Sequence, residues 1–507
     1  MTPRSRREFL SVVGCGMLVA GVGSSVAFDL GLANAFADDV PRLTFDKLEP
    51  LVSLMQDTPI EKLLPALVAR LNEGVELRTL VAAGALANAR TFGGQDYTGY
   101  HAFMALPPAL EMAKELPEAE RALPVLKVLY RNSHRMQVQG GSKNEVLHPM
   151  PRTTVEFSGE ALQDATRTSD VSKAEITFAA MKPDDAKEAF DALQYAIQDE
   201  IDVHRVVLSW RAWTMLDIAG KEHAHTLLRQ SVRYCVASEK ERLDRKRPES
   251  GIRKLLPKLF DEHKLAGRVA GTKQPDAAWV EKLAEVIYGN NRDNAAEAVA
   301  MALAEGFTPE AIGEAMSLAA CQLVLRDPGR TRDEEGKPKG SVHGASVGVH
   351  ASDSANAWRN IARVSNARNT FASLIVGAYH TAGQSNGQTK QPLTETSRKS
   401  VSTSPDLLKT IERAILSKDQ LGASVATQLY CDANANENDL FAVLLKFAVS
   451  EDGALHAEKY YRTVREEFVT TRKAFRTSHL VALARVTASE YGFPAPGYAE
   501  AKRLMNV

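Results

Sequence analysis

Apolar residues recur at three- and four-residue steps through most of this 507-residue chain, the spacing that lines one face of an α-helix. DKLEPLVSLMQ, PIEKLLPALVARLNEG and VELRTLVAAGALANA open the series between residues 46 and 90. HAFMALPPALEMAKEL comes next, starting at His101 after a loop from Thr91 to Tyr100, and ERALPVLKVLYRNSHRMQ ends near His134. Gly74 stands where a helix C-terminus needs a residue with positive φ. Thr308-Pro309 is a helix start, with a capping hydroxyl before a proline in the first turn. The one strand-like stretch is TTVEF, within the polar residues 152–182. The pattern predicts an all-α fold with little or no β structure.

A charge-rich connection from Glu239 to Arg253 suggests two helical halves, residues 38–240 and 241–507, and the halves look alike. Leu71-Asn72-Glu73-Gly74 aligns with Leu303-Ala304-Glu305-Gly306, after which Leu80, Ala83, Leu86 and Ala87 meet Ile312, Ala315, Leu318 and Ala319. His223 lies 149 residues beyond Gly74, and His456 lies 150 beyond Gly306. Two landmarks agreeing over that span predict tandem pseudo-repeats of about 230 residues, with a site where the repeats bury their apolar faces together.

Composition changes this picture little, at 44% apolar and 25% charged residues. The first residues change it more. Ser5-Arg6-Arg7-Glu8-Phe9-Leu10 resembles the twin-arginine export motif; a modestly apolar run comes after it, and Ala35-Phe36-Ala37 offers a cleavage site after Ala37. The resemblance implies engagement of the twin-arginine translocase, a periplasmic location without a stable membrane anchor, and export of a chain already folded, often around a cofactor. Loss of residues 1–37 removes three arginines against Glu8 and Asp29, taking the net charge from −1 to about −2, which argues against nucleic acid as a partner. Cys235, Cys321 and Cys431 remain, without any CxxC pair.

The candidate chemistry is histidine. DEIDVHRVVLSWRAWTMLDIAGKEHAHTLLRQSVRYC packs His204, His223 and His225 into two helices joined near Gly220, and Glu200 stands four residues before His204. His343 and His350 bracket a Gly/Ser-rich segment, and His101, His134 and His380 lie at or near helix ends. Neutral imidazole is the commonest protein metal ligand, so these eight form the candidate ligand set for iron, with copper, manganese or zinc as alternatives. Glu200 and Tyr379 are the catalytic candidates, and Trp210, Trp213, Tyr460 and Tyr461 could also line a pocket for an aromatic or quinone-like molecule. No HExxH motif and no nucleotide-binding fingerprint occurs.

Glu305 to Cys321, EGFTPEAIGEAMSLAAC, resembles a segment of the carboxymuconolactone decarboxylase and alkylhydroperoxidase-D group. The catalytic CxxC of that group is missing, so no activity carries over, and the helix-start logic of Thr308-Pro309 accounts for the likeness. The sequence thus leads to an exported, metal-dependent oxidoreductase acting on a small organic molecule. A metal-dependent hydrolase and a non-enzymatic helical-repeat binding or scaffold protein are its rivals.

Overall fold

A computed structural model describes residues 41–151, 153–182, 185–334, 338–344, 346–392 and 406–507; the leader expected over residues 1–37 lies outside them. The described residues within 45–146 and 150–507 form one compact unit; residues 41–44 and 147–149, assigned to a second unit, are coil. The fold is all-α: the described residues hold 22 α-helices and no strand, and backbone pairing between segments is limited to isolated bridges such as Lys273–Phe307. TTVEF is coil rather than strand; it has no partner strand among the described residues, and the chain after it commits to the helices Gly159–Arg167 and Val171–Ala179, capped by Ser158 and Asp170. Residue 240, the expected boundary, lies inside the helix Ala224–Asp244. No helix among the described residues is long and apolar enough to cross a membrane.

Four helices position the site: α1 (Tyr97–Glu115), α2 (Val203–Ala219), α3 (Val347–Val364) and α4 (Ala457–Thr470). Each packs on two of the others, in the cyclic order α1–α2–α3–α4 and back to α1. Their starts are set by short polar side chains that take up otherwise orphaned backbone N–H groups. Asp96 accepts from Gly99 N, Asp202 from His204 N and Arg205 N, and Ser346 from Val349 N. Because Asp96 caps α1, this helix begins at Tyr97, four residues before His101, and the expected loop from Thr91 shrinks to a short turn after Phe92.

The fourth helix starts differently. Ala454 and Leu455 both take left-handed backbone angles (φ 48° and 64°) immediately before His456, the residue ahead of α4. Such angles cost about 1–3 kcal/mol each for a residue with a side chain and persist only where surrounding packing enforces them. Part of that enforcement is Lys127, fully buried on the helix Ala122–Val138, which donates to the Ala448 and Glu451 carbonyls and pairs with Glu458 at 2.6 Å. A buried ammonium without these partners would be strongly destabilising, so the chain around His456 is held by a contact that tolerates little change.

Candidate functional site

The cyclic packing brings one histidine from each helix start into a closed ring. Ring centroids stand 4.8 Å apart for His101–His204, 5.7 Å for His204–His350, 5.1 Å for His350–His456 and 5.1 Å for His456–His101. His101 and His456 are 2% exposed and form the inner edge; His204 and His350 are partly exposed and form the outer one. His343 stands on the flank, 6.5 Å from His456, with its Nε2 3.9 Å from Glu490.

Three of the four rings have their Nδ1 side tied to a hydrogen-bond acceptor. His101 Nδ1 is 2.8 Å from the Tyr97 carbonyl, His456 Nδ1 is 3.0 Å from the Ala454 carbonyl, and His204 Nδ1 is 3.5 Å from Asp202. An Nδ1–H directed at an acceptor fixes the tautomer that leaves Nε2 with a lone pair. Nε2 of His101 and of His204 is buried without a hydrogen-bond partner, and Nε2 of His456 lies 3.1 Å from Nε2 of His350. Burial, followed by repulsion from Lys459 and from neighbouring imidazoles, pushes the His101 and His456 pKa values far below the ordinary range, so both rings are neutral.

This donor set has the chemistry of a metal site. Two imidazole nitrogens bound to one ion at ~2.0–2.1 Å lie roughly 3.0–3.4 Å from each other, which the His350–His456 pair matches. Asp202 behind His204 is the carboxylate that commonly orients a ligating imidazole. As the side chains stand, no group of three or more His, Cys, Asp or Glu among the described residues is arranged to hold an ion. Closure would need the remaining rings to turn inward.

A cavity of about 720 Å³ opens onto the outer edge of the ring, and its wall includes His350, Asp202, Glu200 and Tyr379. Both catalytic candidates therefore face the space from which the ring is reached, although not as expected. The residue preceding α2 is Asp202, so Glu200 lies in the preceding turn, shares no helical face with His204 and accepts from Ile201 N. The carboxylate serving His204 is Asp202, which also accepts from Tyr234 Oη at 2.9 Å. Burial opposes ionisation of Asp202, but the bonds from His204 and Tyr234 win and hold its pKa below the carboxylate range. Tyr100, 5.0 Å from His101 and 5.3 Å from His204, and Tyr97, 4.4 Å from His101, cover the ring.

The remaining predicted ligands lie apart from the ring. His134 is exposed beside Tyr130 on another helix. His223 packs edge-on against Phe45, and His225 stacks on Phe178, where burial lowers its pKa to about 4. His380 lines the cavity but turns Nδ1 to the indole N–H of Trp358 at 3.3 Å. The ring member outside the predicted set is His456, which the sequence presents only as an echo of His223. Both histidines immediately precede a long helix, but only the start of α4 is packed against α1 and α3. Trp213 stacks on Phe190, and Tyr460 is buried core. Compared with known protein families, curated proteins and solved structures, the chain matches none.

Proposed function

We propose that the ring of His101, His204, His350 and His456 binds a transition-metal ion and that the protein is an oxidoreductase acting on a small organic molecule admitted through the adjoining cavity. The observation that carries this reading is the closed ring, with Nδ1 of three members tied to acceptors, Nε2 of His101 and His204 buried without a partner, and Nε2 of His456 3.1 Å from that of His350. All-imidazole coordination suits iron, copper, nickel or zinc, and export of a chain folded around its cofactor favours iron among them. When bound, such an ion polarises a substrate oxygen or activates dioxygen without any protein nucleophile. Asp202 orients His204, the backbone carbonyls before α4 orient His456, and Tyr97 and Tyr100 shield the inner edge from water. Cys235 and Cys321, both buried with their thiols pushed upward by burial, are unsuited to nucleophilic catalysis. The twin-arginine leader would place this chemistry in the periplasm.

Metal analysis of protein loaded with Fe²⁺ and desalted tests the reading. Near-stoichiometric metal is expected in wild type and in His134→Ala, with loss of most of it in His350→Gln and His204→Gln. Wild-type retention in both ring variants, or no retention in wild type, would overturn it. Ascorbate-driven dioxygen uptake that disappears in the same variants is expected of an oxidoreductase. Tight metal binding without uptake would instead favour the hydrolytic alternative.

A further inference from the structure

Three arginines line the cavity, and two are already neutralised. Arg242 pairs with Glu239 at 2.5 Å, and Arg247 pairs with Glu241 at 2.9 Å. Arg292, half-buried at the start of the helix Arg292–Ala304, has no carboxylate within ion-pairing distance among the described residues. Its one hydrogen bond is long, 3.5 Å to the Tyr379 carbonyl, and its guanidinium lies 5.7 Å from the centre of the Tyr379 ring. A partly desolvated guanidinium without a counter-ion is costly to keep and is offset when a bound anion supplies the missing charge.

The backbone around this pair is built for close approach. A Cβ on Gly383 would come within 2.8 Å of Arg292 Nε, and one on Gly251 within 2.7 Å of Tyr379 Oη. Glycine at both positions leaves room for the guanidinium and the phenol. Both side chains share the cavity with His350 of the ring.

We propose that Arg292 is the substrate anchor and that the substrate class is a small organic monocarboxylate with an aromatic or similarly flat body. A planar carboxylate matches the guanidinium fork, and the Tyr379 ring offers a flat wall beside it. The cavity wall also carries Glu200, Asp202, Glu239, Glu241 and Glu249, so a phosphate dianion would meet more repulsion than a monoanion. The proposal rests on the oxidoreductase reading for the chemistry done on the bound molecule, but not for binding itself.

Benzoate titration by calorimetry into metal-free protein, with a chelator present, separates the two. A carboxylate cannot then be bound through a metal. Benzoate is expected to bind at least tenfold more tightly than benzamide, which has the same shape and no charge. Arg292→Gln should abolish that preference, and Arg292→Lys should retain part of it. Unfolding midpoints of both variants should stay near wild type, because position 292 is the first residue of a helix and only half-buried. Equal binding of benzoate and benzamide, no binding of either, or a preference that survives Arg292→Gln would overturn the anchor. Metal retention by the ring is a separate measurement, so either reading can fail alone.

Discussion

Asp202 caps α2 through two backbone N–H groups and at the same time serves His204 and Tyr234. The two roles can be separated, because asparagine caps a helix about as well as aspartate but offers imidazole no charged acceptor. Asp202→Asn should leave stability within about 1 kcal/mol of wild type while weakening metal binding roughly 10- to 100-fold. Asp202→Ala should lose both. Chemical denaturation combined with competitive metal titration checks this, and an unchanged metal affinity in Asp202→Asn would remove the carboxylate from the site. The residue type was legible in the sequence, where a carboxylate close to His204 is plain, but the partner chosen by helical spacing was Glu200. Spacing of four gives one face only inside a helix, and Asp202 starts the helix after Glu200. Local capping chemistry decided between two acids two residues apart.

The helices themselves were legible, because their apolar periodicity is strong. Which helices meet was not: His101, His204, His350 and His456 are each more than a hundred residues from the next, and only the packing order joins them. The apparent repeat has local echoes. Gly74 and Gly306, each with positive φ, both come just after a helix; His223 ends a single 3₁₀ turn, His456 follows one, and each immediately precedes a helix. Each echo is also what a helix terminus requires by itself, so these matches do not establish a duplication. The more consequential element-level feature is Gly348, where α3 lies against the helix Pro309–Leu325. A Cβ there would stand 2.7 Å from Val324 N and 2.8 Å from the Leu323 carbonyl carbon, both backbone atoms that cannot swing aside. Alanine would gain about 1 kcal/mol of helix propensity, but overpacking against backbone costs about 1–3 kcal/mol, so a net loss is expected. The displacement falls two residues before His350. Gly348→Ala should therefore lower the unfolding midpoint and metal occupancy together; a variant more stable than wild type with full metal would show that α3 has room to move.

The whole molecule buries more histidine than it can charge, and this sets its response to acid. His225, His380 and His479 each have a pKa lowered to about 4, in every case first by burial. An unfolded histidine titrates near 6.5, so between these values the unfolded chain binds protons that the folded one refuses, and stability falls as pH falls. From pH 7 to 5 the loss is about 2 kcal/mol for each such residue. Glu490 works against them. Burial raises its pKa to about 7, so over the same interval the folded protein takes up a proton that the unfolded chain does not, returning about 2 kcal/mol. Three histidines outweigh one carboxyl, and the neutral His101 and His456 add to the same side. Metal-free protein should therefore lose several kcal/mol of unfolding free energy between pH 7 and 5. His479, which faces Glu467 away from the ring, isolates one contribution. His479→Gln should shrink the pH-dependent loss by about 2 kcal/mol, whatever its effect at neutral pH. Glu490→Gln should enlarge that loss by a similar amount, because a neutral amide cannot supply the compensating uptake. Urea titrations at the two pH values decide the matter: stability that rises toward pH 5 would mean that the buried imidazoles charge in place, and the neutral state of His101 and His456 would go with them.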